Sequence, residues 1–396
     1  MRSAYKAGSD RLRILVMGYI VRGPLGGMTW HYLQYLLGLQ ALGHEVAYLE
    51  DSGDSEYCCY DPERGLTDTN PAYGLNYADK VFRRSGYGDR WTYYDHHSTS
   101  WRGPMAGEIL QWVKSCDVMM NLSCANPVRD WLQQVPTRIL VDTDPVFTQI
   151  RNIIDANRSG LTQQHNAFFS FAENIFSPIS SIPDDGIPWK PTRQPVFLDK
   201  WPVFPGRRDS KFTTVMQWDS YAPLRYGGRS FGVKSHSFAD FMHLPEQTAE
   251  ILEIALGSSS APREELRNYG WRLVNPQVVA FEPWQYQGYV QDSKAEFSVS
   301  KEAYVTACTG WFSERSCSYL ASGRPVLVQD TGFTHWLPEG QGVVAFSNPA
   351  TALEGIKKVD LDYAFHCRKA REIAVEYFDS AKVLANLLDR AVTIPI

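Results

Sequence analysis

Short apolar runs alternate with longer amphipathic segments along the first half of the chain. Residues 13–18 form a largely apolar run that ends in glycine, which is typical of a strand buried on both faces of a parallel sheet. A helix is predicted over residues 28–42 and a second strand over residues 45–50, so these elements form one βαβ unit. Further strands are predicted at 118–122 and 138–142. This pattern predicts an α/β domain whose ligands bind at the carboxyl ends of the strands.

A proline-rich connector separates this pattern from a second one of the same kind. Seven prolines lie between residues 177 and 208, and such a density prevents both helix formation and internal strand pairing. Beyond it the pattern predicts a helix near 236–256, helices from 349 to 390, and strands at 212–217, 271–274, 278–281 and 296–299. We therefore predict an N-terminal domain over residues 1–200, a second domain over 201–380, and a last helix over 381–396 that crosses back to the first domain.

Composition and charge narrow the classes of function. With 44% hydrophobic and 21% charged residues, the chain of 396 residues is typical of a soluble globular protein. A formal net charge of −5 argues against a protein whose main task is to coat nucleic acid. The sequence contains no apolar run of about eighteen residues, and the N-terminal apolar stretch is too short for a signal peptide. The seven cysteines form no C-x-x-C pair, which favours reduced thiols and a cytoplasmic protein.

The loop after the first predicted strand contains closely spaced glycines. Neither G-x-G-x-x-G nor G-K-[ST] is present, which excludes a dinucleotide fingerprint and a P-loop. Gly26 and Gly27 lie at the start of the predicted helix, where free N–H groups and the lack of a side chain let a ligand approach. We predict that they contact a ligand, with simple turn geometry as the alternative. His31, early in the same helix, is a candidate base near neutral pH, with a histidine packed on the sheet as the alternative.

Two carboxylates follow the strand predicted at 138–142. Asp142 and Asp144 have the D-x-D spacing that can hold a divalent metal, but Asp144 also precedes a proline, which is typical of a simple turn. We predict that both carboxylates face an acceptor as candidate bases and that no metal takes part.

A glycine-rich loop in the second half carries two cationic residues. Gly228 and Arg229 follow the strand at 212–217, and Lys234 comes five residues after Arg229. Two fixed positive charges suit an anionic diphosphate without a metal. The loop is therefore predicted to clamp a diphosphate, with a flexible basic surface loop as the alternative.

The segment at 309–326 predicts a turn, a short helix and a buried strand. Ser313 is a good N-cap, Arg315 and Ser316 fall in the first helical turn, and Gly323 lies where the helix ends. The N–H groups and the positive dipole end of such a helix favour an anion. These residues are therefore candidates for phosphate binding, and a well-capped helix packed on a sheet is the alternative.

Taken together, these motifs resemble the GT-B glycosyltransferases, especially the large retaining group, over most of the chain. The glycine loop at 26–27 is followed by GHEV at 43–46, which matches the group's strand after its first helix. The pair Gly228-Arg229 with Lys234 resembles the group's G-R…K diphosphate clamp. The strings ASGRPV at 321–326 and QDTGF at 329–333 resemble the group's C-terminal helix end and glycine loop.

The resemblance implies two Rossmann-like domains that face each other across a cleft. It implies a hexosyltransferase that moves a sugar from a nucleoside diphosphate donor such as a UDP-sugar to an acceptor hydroxyl, with Asp330 among the donor contacts. No cofactor besides the co-substrate is expected. The acceptor can be a small molecule, a saccharide or a lipid-linked molecule, whereas the acidic balance disfavours nucleic acid. If the reaction inverts configuration, His31, Asp142 or Asp144 supplies the base; if it retains configuration, no protein base is essential.

One departure from the group concerns its two glutamates, which lie eight residues apart. By register from the GRPV string they fall at Gly310 and Ser318, neither of which is acidic. Glu302, Glu314 and Asp330 are candidate substitutes. The departure leaves two further functions open: a catalytically inactive sugar-nucleotide-binding or scaffold protein, and a sugar-nucleotide epimerase on the same fold.

Overall fold

The computed structural model describes residues 11–392, which form two α/β units joined by an extended segment. The strands of the first unit are β1 (Arg13–Met17), β2 (Glu45–Asp51), β3 (Cys59–Asp61), β4 (Leu66–Asp68), β5 (Trp91–Asp95), β6 (Ser100–Arg102), β7 (Val118–Leu122), β8 (Thr137–Asp142), β9 (Ala167–Ser170) and β10 (Lys190–Pro191). Its helices are α1 (Gly26–Ala41), α2 (Ala72–Ser85), α3 (Ile109–Val113), α4 (Phe147–Ile154) and α5 (Ala156–Gln163).

Eight strands of the first unit form one sheet, in the order β10-β9-β8-β7-β1-β2-β5-β6. Every pairing is parallel except that of β5 with β6. β1 lies in the middle, where Ile14 to Met17 are completely buried, and this explains its apolar sequence. The strand order changes direction between β1 and β7, so the carboxyl ends of these two strands form a crevice of the kind that binds ligands.

The second unit repeats this design with a smaller sheet. Its strands are β11 (Phe212–Met216), β12 (Leu224–Tyr226), β13 (Arg229–Phe231), β14 (Leu252–Leu256), β15 (Arg272–Val274), β16 (Ala295–Ser298), β17 (Val326–Gln329) and β18 (Val343–Phe346). Six of them form a parallel sheet in the order β15-β14-β11-β16-β17-β18, while β12 and β13 form a separate hairpin. The order changes direction between β11 and β16, which places the second ligand crevice at their carboxyl ends.

The helices of the second unit are α6 (Lys234–Phe238), α7 (Arg263–Asn268), α8 (Pro276–Val279), α9 (Pro283–Asp292), α10 (Glu302–Thr306), α11 (Glu314–Ala321), α12 (Pro349–Leu361), α13 (Tyr363–Ile373) and α14 (Ser380–Val392). A π-helical segment at Ala374–Phe378 joins the last two. No helix within residues 11–392 has the length and the apolar character needed to cross a lipid bilayer.

The last helix packs against the first unit. Gly38 of α1 lies so close to α14 that a Cβ atom there would come within 2.8 Å of Leu384 and Ser380. The backbone of Val196 bonds to Phe378 and Ser380, which fixes the start of the return path. The domain bounds 1–200, 201–380 and 381–396 stay a prediction, and their ends at 1–10 and 393–396 lie outside the described residues.

The predicted architecture of two α/β units with parallel sheets is confirmed, but two predicted elements are wrong. The helix expected near 236–256 is a short helix, α6, followed by the buried strand β14. The strand expected at 278–281 overlaps α8 instead, because Asn275 caps the first turn at Gln277 and a proline occupies the first helical position.

Candidate active site

A cavity of about 500 Å³ lies between the carboxyl ends of the two sheets. Both topological switch points contribute to its wall, through Ser123 after β7 and through Gln217 and Lys301 after β11 and β16. Seven residues predicted from the sequence line it together: His31, Asp142, Asp144, Lys234, Ser313, Glu314 and Arg315.

His31 reaches the cavity from α1. It is buried against the rings of Tyr32 and Tyr35, at centroid distances of 5.0 and 5.7 Å. Its Nε2 atom has no hydrogen-bond partner among the described residues. Burial lowers the pKa of His31, so the imidazole is neutral at physiological pH. A neutral imidazole has one unprotonated nitrogen, which can accept a proton or a hydrogen bond.

Asp142 is held by four hydrogen-bond donors. Its Oδ1 accepts from the backbone N–H of Asp144 (2.9 Å) and from Thr148 (2.6 Å), and its Oδ2 accepts from Gln149 (3.1 Å) and Ser170 (2.7 Å). A carboxylate has about four acceptor sites, so all are in use. This arrangement fixes the β8–α4 turn and argues against the predicted role of Asp142 as a base.

Asp144 joins the two units across the cavity. Nζ of Lys301 donates to its Oδ1 at 2.7 Å, and the hydroxyls of Tyr221 and Tyr304 donate to the same carboxylate. Burial opposes ionisation of Asp144, but Lys301 and the two hydroxyls outweigh it and lower its pKa. Asp144 is therefore a charged partner of Lys301 in this geometry, and its predicted role as a free base is not supported.

Lys234 is one of the predicted cations in the cavity wall. It begins α6, lines the cavity, and forms no ion pair or side-chain hydrogen bond within the described part of the chain. Burial, reinforced by the positive charges of Arg315 and Lys301, lowers its pKa to about 7. An anionic ligand would raise this pKa again, because it supplies the charge partner that the protein does not.

In the first turn of α11 the predicted cap is present, but the arginine predicted to bind phosphate pairs with a glutamate instead. Ser313 accepts a hydrogen bond from the backbone N–H of Arg315 (3.2 Å), as expected for an N-cap. The Arg315 guanidinium, however, donates to Glu296 at 2.6 Å, to the Val215 carbonyl and to the Ser298 hydroxyl. Its charge is thus compensated within the protein, and Arg315 braces the carboxyl ends of β11 and β16.

Ser316, the third residue predicted in this turn, does not reach the cavity wall. Its side chain is buried, and its Oγ has no hydrogen-bond partner within the described residues. The prediction that its hydroxyl binds phosphate is not supported by this position.

Gly26 and Gly27 are closely approached, as predicted, but by residues of the second unit and not by a ligand. The N–H of Gly26 donates to the Ala280 carbonyl at 3.2 Å, and a Cβ atom at Gly26 would lie 2.5 Å from the carbonyl oxygen of Glu282. A Cβ atom at Gly27 would lie 3.1 Å from the ring of Tyr286. The predicted ligand contact is thus replaced by a contact between the two units.

Gly228 and Arg229 lie away from the cavity, contrary to the predicted clamp. Gly227 and Gly228 have φ values of 56° and 74° and form the two-residue turn between β12 and β13. Two consecutive positive φ values define the type I′ hairpin turn, which explains the glycine pair. Arg229 is exposed on this hairpin, with its guanidinium over the ring of Phe231.

Asp330 and Glu302 serve local structure. Asp330 accepts from the N–H of Gly332 (2.8 Å) and from the hydroxyl of Thr334 (2.9 Å), which fixes the loop after β17. Glu302 accepts from the N–H of Gly232. Neither lines the cavity, so the donor contact predicted for Asp330 is not supported.

Position 310 has no room for a glutamate. Gly310 has a φ of 72°, and a Cβ atom there would come within 2.7 Å of the Asn174 side chain. Ser318 is buried and donates to the Glu314 carbonyl. Of the three candidate substitutes, Glu314 alone lines the cavity, at the first position of α11.

Sequence reasoning missed Lys301, Tyr304 and Trp311, which also line the cavity. Lys301 follows the strand that was predicted at 296–299, so the rule that ligands bind at strand ends contained the signal. The two aromatic residues carried no comparable signal, because their placement depends on α10 and the loop before α11.

Comparisons with known proteins place this geometry in a fold. No family model matches the chain, and no curated protein matches it. An alpha-glucosyltransferase solved with UDP-glucose and DNA containing an abasic site has a TM-score of 0.58 at 12% identity, over 97% of this chain and 100% of the other. Anabaena Alr3699/HepE, solved with UDP-glucose, has a TM-score of 0.54 at 12% identity, over 97% and 100%. AviGT4, a glycosyltransferase involved in avilamycin A biosynthesis, has a TM-score of 0.53 at 14% identity, over 96% and 97%. At these identities the likeness shows the fold, and the chain has the GT-B fold of two Rossmann-like domains facing each other across a cleft.

Proposed function

We propose that the protein is a glycosyltransferase that moves a hexose from a UDP-sugar to an acceptor hydroxyl. The observation that carries the proposal is the cavity at the two switch points, where Lys234 and Lys301 face His31 across the cleft. Cations on one side and a neutral base on the other suit a diphosphate leaving group and a hydroxyl nucleophile. Several proteins of the same fold were solved with UDP or UDP-glucose, which supports this choice of donor.

In the proposed reaction the second domain stabilises the leaving diphosphate. Negative charge grows on its oxygens as the bond to the sugar breaks, and Lys234 lies where it can neutralise this charge. The N-terminus of α11, capped by Ser313, adds its dipole to the same wall. Such groups act strongly in a cavity that excludes water. No metal is part of this proposal.

The acceptor is proposed to bind on the side of the first domain. His31 is neutral and has an unpartnered nitrogen, so it is the base if configuration inverts. If configuration is retained, His31 orients a hydroxyl instead. Glu314 lines the same cavity and is proposed to hold the sugar in place of the glutamates absent at Gly310 and Ser318.

We propose several classes of acceptor. Small molecules, saccharides and lipid-linked molecules fit the cavity chemistry, and the net charge of −5 disfavours nucleic acid. Some proteins of the same fold were solved with DNA, so an acceptor screen includes it. We also propose that the protein works in the cytoplasm, where its cysteines stay reduced.

A second candidate function is sugar-nucleotide binding without turnover. It is favoured by Gly310, where the backbone geometry and Asn174 leave no space for a glutamate. An epimerase on the same fold is a third candidate that the same assay separates.

A donor screen by mass spectrometry tests these proposals. Nucleotide sugars are incubated with pooled acceptors, including DNA, and mass shifts of acceptors and donors are recorded with the Lys234→Met variant as a control. Glycosylated acceptor or slow hydrolysis of one donor, lost in Lys234→Met, supports the transferase. Calorimetric binding with no chemical change supports the binding protein, and an isomeric donor supports the epimerase. If no nucleotide sugar binds at all, all three proposals fail.

A further inference from the structure

Lys301, one of the two cations of the proposed diphosphate site, forms an ion pair with Asp144 across the cleft. Lys301 follows β16 in the second domain, and Asp144 follows β8 in the first. Nζ of Lys301 lies 2.7 Å from Oδ1 of Asp144, and both side chains line the cavity. The pair therefore lies in the space that a donor bound between the domains would enter.

The Lys301 ammonium is positioned by aromatic rings as well as by Asp144. It lies 4.5 Å from the ring centroid of Tyr221, 5.0 Å from that of Phe147 and 5.1 Å from that of Tyr304. Contacts of this kind hold a cation in place without neutralising its charge. Lys301 can therefore keep its position while it changes its anionic partner.

Asp144 has other donors besides Lys301. The hydroxyl of Tyr221 lies 2.6 Å from Oδ2, the hydroxyl of Tyr304 donates to Oδ1, and a guanidinium nitrogen of Arg151 lies 3.5 Å from Oδ2. A buried carboxylate that loses its only partner is strongly destabilised. Because three donors remain, Asp144, whose side chain is 23% exposed, can lose Lys301 without being left unpaired.

The wall beside Lys301 attracts anions. Lys234 and Arg315 line the same cavity, and their charges act on one another closely enough to lower the pKa of Lys234. Glu296 compensates Arg315, and Asp144 compensates Lys301. Lys234 and Lys301 line the same cavity, so a diphosphate that contacts Lys234 can also contact Lys301, where it competes with the Asp144 carboxylate.

We propose that Asp144 is an internal competitor that a phosphate of the donor displaces from Lys301. This inference rests on the proposed function, because it assigns the anion to the diphosphate of that same site. On binding, Lys301 exchanges a carboxylate for a phosphate, while Asp144 stays with Tyr221, Tyr304 and Arg151. The exchange weakens donor binding, since part of the interaction replaces a contact that already exists.

Calorimetry with three probes tests the exchange. For Asp144→Asn we expect UDP and inorganic pyrophosphate to bind about three to ten times more tightly than to the unaltered protein, because the competing charge is gone. Uridine, which carries no phosphate, should bind with unchanged affinity. A gain for uridine equal to that for UDP, or pyrophosphate affinity that is unchanged or weaker, would overturn the inference.

Matched variants separate this role from a structural one. Tyr221→Phe removes the hydroxyl that donates to Asp144 and accepts from Lys301, but it keeps the charge of Asp144, so pyrophosphate affinity should not rise. Asp54→Asn removes another ion-paired aspartate of the first domain, 2.8 Å from Arg129, and should change nothing. If the pair only holds the domains together, Asp144→Asn and Tyr221→Phe will both weaken binding.

Lys301→Met keeps the test decisive if Asp144→Asn fails to fold. It should bind pyrophosphate several-fold more weakly, because the cation that the phosphate takes over from Asp144 is gone. Unchanged pyrophosphate affinity in Lys301→Met would overturn the exchange. If the unaltered protein binds pyrophosphate but no nucleotide, the proposed function fails while the exchange remains testable with pyrophosphate alone.

Discussion

At the scale of single residues, Lys234 and Arg229 are close in the sequence but lie in different places in the structure. The sequence puts them five residues apart on one loop, and this spacing predicted a joint clamp. In the structure the glycine turn sends Arg229 to an exposed hairpin, while Lys234 begins α6 at the cavity wall. The cation itself was predictable from its place after the first strand of the second domain. Which of the two cations faces the ligand depends on the hairpin, whose turn type only the backbone reveals.

This difference gives a matched pair of variants. Lys234→Met should lower UDP affinity and transfer activity by at least about tenfold to a hundredfold, because it removes an uncompensated charge beside the diphosphate. Arg229→Ala should change activity by less than about threefold, since an exposed arginine contributes little. Steady-state kinetics and calorimetry on both variants check this. Equal losses in the two variants would restore the clamp that the sequence predicted.

The same lysine predicts a pH dependence of binding. Its pKa of about 7 lies below the ordinary value of 10.5 in the free protein, and a bound diphosphate would raise it. Below pH 7 Lys234 is protonated in both the free and the bound protein, so its titration does not change UDP affinity with pH. Above pH 7 binding takes up a proton, and UDP affinity should fall by up to about tenfold per pH unit. Calorimetry at pH 8 in buffers of different ionisation enthalpy measures this uptake, which should vanish in Lys234→Arg.

Lys234 should also make the stability of the free protein depend on pH, but with the opposite sign: UDP affinity falls above pH 7, whereas the free energy of unfolding rises. Because the folded-state pKa is depressed, the unfolded chain binds more protons between pH 7 and 10.5, so this group makes stability rise with pH across that window. Lys234→Met should therefore be more stable than the unaltered protein, most clearly below pH 7, by about 1 kcal/mol or more. Urea unfolding at pH 6 and pH 10 measures the difference. A larger gain at pH 10 than at pH 6 would contradict this sign.

At the scale of elements, the loop before α11 explains the missing glutamate. The cap at Ser313 and the helix end at Gly323 were predicted from residue types, and the structure has both. The conformation of Gly310 was not readable, because it depends on Asn174 from the other domain. A continuous apolar run predicted β1 for the same local reason. The helix expected at 236–256 was wrong because β14, buried on both faces, has no alternating pattern that distinguishes it from a helix.

Gly310→Ala tests this explanation. A side chain at a φ of 72° costs about 1–2 kcal/mol, and the contact of 2.7 Å with Asn174 adds to it. We expect the free energy of unfolding to fall by about 2–3 kcal/mol. Gly288→Ala, in α9 with open space around it, serves as the control and should be neutral or slightly stabilising. A stable, active Gly310→Glu protein would show instead that the site can accept the glutamate.

At the scale of the whole molecule, the arrangement of the domains gives the glycine loop a structural role in place of the predicted ligand contact. Two parallel sheets and a connector followed from the order of elements, and their cleft followed from the resemblance. The contact of Gly26 with Ala280 and Glu282 could not be predicted from the sequence, because it joins segments more than 250 residues apart. Trp30 of α1 strengthens the same contact through a 2.7 Å bond from its indole N–H to the Pro283 carbonyl. The loop therefore sets how closely the two sheets face each other, and with it the width of the cavity.

Gly26→Ala should separate the domains without unfolding them. Its Cβ atom would lie 2.5–2.7 Å from two carbonyl oxygens that are fixed in the backbone, so the second domain has to move away. The N–H bond to Ala280 is then stretched or lost, while the core of each sheet is untouched. We expect a larger radius of gyration by small-angle X-ray scattering and at least about tenfold lower transfer activity, since misplaced reacting groups slow catalysis strongly. Gly160→Ala, in α5 with nothing within 4 Å, should change neither quantity. Lost activity with an unchanged radius of gyration would favour the ligand contact predicted from the sequence, because a bound donor, and not the second domain, would then be what approaches Gly26.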